Sequence, residues 1–561
     1  MVLENWACLA GLTVLAYLVY WVLKPVLKAV YLAISCPLFS ATALNGEEGP
    51  YPTEKEKDEV LNKSFKPERV PQNLDAIVIG SGPSGLTAAH FLARAGRKVL
   101  VLEQHDTVGG TLHTFVEHGY EFDTGLHISF EVGEEHYFGV IMKQLTGGKV
   151  KFLSTNGFKD EIVIGSHKYP KKGVRKYFFP PESVDEWQQR MLKYFPGEDK
   201  LMKSLSKDVK WSLIAFMPFV LVKLLPEWLA MLLIKLKVFD IFTSYPKQNS
   251  ISTEEKFQEV AERHPDMPLL LNPFNLDLNV SCDDFPYAVW AVTQKAYLDG
   301  VDVTFNQLLP RSIRDSSRWY KNAKPFLNEP SGYFQLFVGL NREAHELNLP
   351  WQTIRTFSSD KPVGEVYKEY LSLPLEEALE VDIPFLAIFF SSAKDPTYND
   401  RHPGKATVEI FGVANNDWFK QWQNLPLKKR GDEYDGLKKA FGQKILDKTL
   451  ELYPELKDHV DCVIYGTSAA IANYLGRNSG GGAKLDNTRA RLSLEASTKM
   501  RTDTGIPGLY LTGEDTLINS VLFSSMSGAL TASAILERNL VAEAFAMKAW
   551  NDVNKFFGGG K

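Results

Sequence analysis

The chain has 561 residues, with Lys+Arg 63 against Asp+Glu 68 and a net charge of -5. That balance excludes the basic excess of a nucleic-acid binder, and the length allows two subdomains within one body. Four scattered cysteines (Cys8, Cys36, Cys282 and Cys462) form no CxxC pair, which excludes a metal knuckle or a disulfide framework.

From the N-terminus, Trp6 to Leu23 carries no charge and, at about 18 residues, approaches a membrane span. Lys24 and Lys28 follow, then a second apolar stretch from Ala29 to Phe39. A secretory signal normally opens on basic residues, whereas Glu4 stands here. Residues 1–45 therefore read as a membrane anchor or signal, with a retained anchor favoured, although Ala41-Thr42-Ala43 has the form of a cleavage site. The two lysines favour a cytosolic body by the positive-inside rule. Residues 46–71, rich in Glu, Lys, Asp and Pro, read as an exposed linker.

Asp75 to Ile79 is an apolar run that predicts a buried parallel strand. Gly80, Ser81, Gly82, Pro83, Ser84 and Gly85 then fit the G-x-G-x-x-G turn that opens a helix. The first glycine permits the tight turn, the second lets a pyrophosphate approach the backbone, and the third lets helix and strand pack closely. Pro83 loses little in the first helical turn, where its missing N–H would be unpaired anyway. Leu86, Ala89, His90 and Ala93 keep helical spacing, and Gly96 is placed to end the helix. A second apolar strand, 98–102, ends in Glu103, at the distance expected of an acid that binds ribose hydroxyls. Strand, turn, helix, strand and acid in this order predict dinucleotide binding, with the phosphates at the positive end of the helix dipole.

Gly109-Gly110 and Phe122-Asp123-Thr124-Gly125 follow. A glycine doublet soon after the ribose acid is unnecessary for NAD. It resembles the flavin-binding extension of the phytoene desaturase and amine oxidase superfamily and so points to FAD. His113 and His127 flank this segment and read as structural or flavin-packing residues in preference to proton donors.

The middle of the chain predicts mixed strands and helices. Trp211 to Phe239 is rich in Leu, Ile, Phe and Met, interrupted by Pro218 and Pro226, and edged by Lys223, Lys235 and Lys237. Short apolar helices of this kind suit a membrane interface or a greasy substrate mouth, and equally the core of a substrate domain.

Further on stand Ser391-Ser392-Ala393-Lys394-Asp395-Pro396-Thr397, Trp418-Phe419 with Trp422, Leu452-Tyr453-Pro454-Glu455-Leu456 and Asn473-Tyr474-Leu475-Gly476. With the flavin stretch, these resemble the retinol-saturating, membrane-associated animal branch of the phytoene desaturase and carotenoid isomerase family. Near the C-terminus, Gly508 to Thr512 reads as a buried strand, followed by Gly513, Glu514 and Asp515, and Met526 to Leu536 as a helix of small residues. The resemblance implies that this strand returns beside the N-terminal fold and that Gly513, Glu514 and Asp515 contact FAD. The chain departs from the family pattern after Asp515, where Asn519 to Ser524 replaces glycines, and after Gly300, where an insert with a Pro-x-Gly-Gly turn and alternating strands is missing.

The fold class expected is α/β. A doubly wound, Rossmann-like FAD-binding domain is assembled from residues 72–130 and 460–540, with a mixed α+β substrate domain over 131–459 and an N-terminal membrane segment. The resemblance implies saturation of a conjugated double bond in a retinoid or related polyene at the endoplasmic reticulum membrane. Carotenoid-type desaturation or isomerisation, and a flavin fold impaired by the gap after Gly300, are the alternatives. NAD or NADP as electron source stays open, because no second glycine motif marks a site for it. No nucleic-acid partner, metal site or protein catalyst is indicated.

Overall fold

A computed structural model describes residues 64–125, 127, 139–150, 160–165, 174–179, 184–272, 282–293, 317–326, 331–476 (less 360 and 428), 480–481, 487–518 and 521–556, with scattered positions between 20 and 59. The gap expected after Gly300 lies outside the described residues, as does most of the segment read as an anchor. Of that segment, Leu38, Phe39 and Ala43 are buried in the protein, and the Phe39 ring lies 5.1 Å from Phe91. The end of the second apolar stretch thus belongs to the protein core. Among the described residues no helix is long and apolar enough to cross a membrane.

Strand β1 (Ala76–Ile79) pairs in parallel with β2 (Val99–Leu102), and helix α1 (Pro83–Arg94) joins them. Gly80, at φ +98°, makes the turn that lets α1 fold back on β1. A Cβ on Gly85 would collide with the carbonyl oxygen of Gly80 and press on Val78, which is why the third glycine is needed. Gly96, at φ +78°, ends the helix. The hairpin of β3 (Thr114–Glu117) and β4 (Tyr120–Asp123) follows.

The parallel β1–α1–β2 unit is the one expected of a Rossmann-like domain, but the expectation that β1 is a buried strand is corrected here. Among the described residues β1 pairs only with β2, and Ile77 and Ile79 are 54% and 64% exposed. Helix α1 covers the face that carries Val78, and no described element covers the opposite face. The expected strand over 508–512 also fails to pair with β1. The N–H of Leu511 donates to Thr502 and its carbonyl accepts from Thr531 Oγ, so only Tyr510 forms an isolated bridge, to Asp503.

The apolar stretch at 211–239 folds into α2 (Ser212–Leu224) and α3 (Glu227–Lys235). Each is apolar on more than one side. Phe216, Phe219, Leu229 and Ala230 are buried, while Trp211, Ile214, Trp228 and Leu236 are exposed. The C-terminal end of α2 is held from another segment. Arg501 donates to the carbonyls of Val222, Lys223 and Leu225 at 2.6, 3.2 and 2.6 Å, and Lys223 Nζ donates to Ser497 and Met500. Burial pushes the ammonium of Lys223 well below its usual range, and Arg501 and Arg491 add to that. Arg501→Met should leave those helix-end carbonyls short of donors and lower the unfolding free energy by roughly 2–4 kcal/mol, read as a lower urea midpoint.

The larger sheet has the order β11-β7-β10-β9-β8-β5-β6. Its strands are β5 (Asp160–Ile164), β6 (Arg175–Phe179), β7 (Gly332–Leu340), β8 (Ile354–Phe357), β9 (Phe385–Phe389), β10 (Ala406–Ala414) and β11 (Val460–Gly466). Neighbours are antiparallel except β5 and β8. Its central strands are buried on both faces and mostly apolar, with Thr407 and Glu409 on β10 and Arg355 on β8 among the buried polar exceptions. Helix α4 (Ser391–Lys394) follows β9, and α5 (Asp432–Leu452) packs on β7. Helix α6 (Val521–Leu536) is buried on every side from Val521 to Ser533 and lies directly on α1. A Cβ on Gly528 would collide with the carbonyl oxygen of Ser84 and lie 2.6 Å from Thr87 Cβ. This contact brings the C-terminal part of the chain to the dinucleotide turn.

Candidate active site

One cavity of about 1220 Å³ runs between the β1–α1–β2 unit and the larger sheet. At one end it is lined by Gly80, Ser81, Gly82, Pro83, Ser84, Gly85, Glu103 and Gly110, with Thr512 and Gly513 beside them. At the other it is lined by Tyr333, Phe337, Phe389 and Phe411. The helix α1 has no side-chain cap, so its first turn offers backbone N–H groups to the cavity. Cβ atoms built on Gly80 and Gly82 would meet nothing within 4 Å, which leaves an open cradle over these amides.

The glycine doublet completes the cradle. Gly109 and Gly110 take φ of +116° and +60°, a Cβ on Gly110 would lie 3.1 Å from Gly82 Cα, and the Gly109 N–H donates to Ser81. The two glycine turns are therefore packed backbone to backbone. Glu103 accepts from the N–H and Oγ of Ser81 at 2.9 and 2.5 Å, and from the N–H groups of Gln104 and His105 at 2.8 and 3.1 Å. Burial alone would raise its carboxyl, but these four donors outweigh it and hold the group below the usual range. Glu103 is thus a fixed anion at the cavity wall, and the rotatable Ser81 hydroxyl is the one donor it can exchange for a ribose hydroxyl. Uncapped amides, open glycine positions and a held carboxylate fit the ADP part of a dinucleotide.

The structure separates the C-terminal candidates. Gly513 lines the cavity and its N–H donates to Ser527 Oγ at 2.7 Å. Glu514 and Asp515 are buried in a short 3-10 turn and do not line it, and the Glu514 carbonyl accepts from Arg491. His113 lines the cavity with Nδ1 held by the Gly110 carbonyl at 2.5 Å, which is a structural role.

His127 sits differently. Its ring stacks on Phe389 with centroids 4.4 Å apart and meets Phe411 edge-on at 4.9 Å. Nδ1 lies 3.5 Å from Asp123 Oδ2 and 3.4 Å from Ser391 Oγ. Behind it, Glu409 is wholly buried in the central strand β10. It stands in register with Phe389 on one side and Phe337 on the other, and two residues from Phe411, so it shares the cavity face of the sheet with them. Burial first, then the negative charge of Asp123, pushes the Glu409 carboxyl up to about 8. Asp123 moves the other way: burial opposes its charge, but His127, Ser391 and Lys394 overcome that and lower it. Sequence reasoning missed Asp123, Ser391, Lys394 and Glu409 as one cluster. The available signal was Glu409, the only charge in the run Ala406 to Ala414.

Residues 78–145 match the NAD(P)-binding Rossmann-like domain family. An all-trans-retinol 13,14-reductase of Danio rerio is 29% identical over 560 residues, covering 88% of this chain and 91% of that one. An inactive all-trans-retinol 13,14-reductase of the same species is 27% identical, covering 88% and 91%. A putrescine oxidase variant of known structure overlays with a TM-score of 0.46 at 12% identity, over 82% of this chain and 98% of that one. The resemblance read from the motifs therefore extends along nearly the whole sequence: over 88% of its length the chain is similar to an all-trans-retinol 13,14-reductase, and its N-terminal part matches a dinucleotide-binding Rossmann-like domain.

Proposed function

We propose that this protein saturates one conjugated double bond of all-trans-retinol or a closely related polyene, with FAD held in the glycine cradle. The observation that carries the reading is one cavity with phosphate-type backbone donors at one end and aromatic walls at the other. Gly80, Ser81, Gly82, Ser84, Gly85 and Gly110 would hold the diphosphate, Glu103 the ribose, and Gly513 a further part of the cofactor. The chemistry that FAD supplies is two-electron transfer to carbon. The chain itself binds and orients both partners and keeps water from the polyene. A reduced nicotinamide, NADH or NADPH, is the electron source to test first.

The same reading places the protein on the endoplasmic reticulum membrane. Trp211, Ile214, Trp228, Leu236 and Phe242 are exposed beside Lys235 and Lys237, an arrangement suited to the headgroup boundary.

The test is direct. Purified protein should carry flavin absorbance and, with all-trans-retinol and a reductant, should shorten the polyene absorbance. Glu103→Ala should weaken FAD binding about 10- to 100-fold, measured by flavin retained through dialysis. Absent flavin in the wild type would sink the reading. A flavin-loaded protein without turnover on retinoids or carotenoids would favour the second reading, an impaired homologue, which the relative named inactive makes concrete.

A further inference from the structure

We propose that His127, backed by Asp123, Ser391 and Glu409, is a proton relay set in the wall of the cavity, with Nε2 as its donor atom. The destination of the proton, a polyene carbon, rests on the function proposed above; the relay itself rests on geometry.

His127 is 5% exposed in its side chain, lines the cavity, and its Nε2 is buried without a hydrogen-bond partner. Its other nitrogen faces Asp123 and Ser391. Phe389 and Phe411 fix the plane of the ring, so Nε2 cannot turn back toward the cluster without unstacking. Glu409 makes no well-formed hydrogen bond from either carboxyl oxygen, although the hydroxyl and N–H of Ser391 are close enough to ease its charge. Such a group is costly in a central strand unless it is kept neutral or used. The charged and titratable groups around it are Asp123 at the end of β4 and His127 beyond it, Lys394 on α4, and Tyr398 after that helix.

The balance of the reaction requires this proton. Saturating a double bond breaks one π bond and forms two C–H bonds. A hydride brings two electrons and one hydrogen to the first carbon, from the reduced two-electron carrier of the proposed function. The second carbon needs a proton. In the relay, Nε2–H breaks as that proton leaves, Nδ1 takes a proton from the Ser391 hydroxyl, and Ser391 regains one from the Glu409 carboxyl. Glu409 becomes a carboxylate; before the next turnover a proton from solvent returns to Nε2, and the Nδ1 proton passes back through Ser391 to the Glu409 carboxylate, which restores the starting state. Asp123 is a positioning residue that stabilises the Nδ1–H tautomer left behind.

The experiment uses the full chain. His127→Gln should lower kcat about 100-fold or more while flavin content and the thermal midpoint stay near wild type. Glu409→Gln should flatten the alkaline limb of the pH–rate profile. An infrared titration, which needs no turnover, should show a protonated carboxyl band that disappears in Glu409→Gln and shifts its midpoint in His127→Gln. His127→Gln within about 3-fold of wild-type kcat with an unchanged pH profile would overturn the relay, because a positioned acid contributes far more. If the flavin-loaded wild type reduces no polyene, the proposed function fails. The infrared arm then decides the relay alone: a coupled shift supports it, and independent titration overturns it. His127→Asn serves as the second variant should the glutamine crowd Phe389.

Discussion

Gly528→Ala is expected to remove about 3 kcal/mol of stability or more and to lower retention of the proposed flavin, because overpacking against a backbone has no side chain to yield. The added methyl would collide with the Ser84 carbonyl oxygen, lie 2.6 Å from Thr87 Cβ and 3.1 Å from the Ala88 nitrogen. Two of these three atoms are main chain of α1, so α6 must back away along its whole contact. That movement also withdraws Ser527, whose Oγ receives the Gly513 N–H, and so opens the cavity wall. Gly436→Ala is the matched control. Its Cβ would meet nothing within 4 Å inside α5, and it should be neutral or stabilising by up to about 1 kcal/mol. Thermal midpoints and flavin absorbance of the two variants separate a packing effect from a general intolerance of added methyl groups.

The second large effect is a pH dependence of stability that Glu409 imposes. Its carboxyl is raised in the folded chain to about 8, against 4.5 for the free group. Between those values the folded state binds more protons than the unfolded state, so stability falls as pH rises through this window and levels off above the folded value. The span is worth roughly 3–5 kcal/mol at 1.36 kcal/mol per unit. Asp123, lowered on folding, acts in the opposite sense: its stabilisation is present above its ordinary range and is lost only as pH falls through its folded value. The two effects therefore occupy separate windows. Thermal midpoints from about pH 5 to 9 should decline in the wild type and stay nearly level in Glu409→Gln. A decline of equal slope in the variant would assign the effect elsewhere.

The sequence made the cofactor end of the cavity legible because its demands are local. A left-handed turn at Gly80, a forbidden Cβ at Gly85 and a strand ending at Glu103 are each written in a few consecutive residues. The relay cluster was not legible in the same way. Ser391 and Glu409 come together through the pairing of β10 with β9, and Asp123 joins them because β4 packs on β10; contacts between distant strands leave no spacing to read. Hydropathy misplaced Phe39 for a different reason: an apolar run looks the same whether lipid or Phe91 covers it. The strand expected over 508–512 failed because α6, through Thr531, takes up the hydrogen bond that a neighbouring strand would have used.

The seat of Gly528 on Ser84 also sets a timetable. During synthesis the nucleotide turn leaves the ribosome early, while the helix that braces it emerges among the last segments of the chain. A chain that ends before residue 521 lacks that brace, and its nucleotide turn is expected to be more open to proteases than in the full chain.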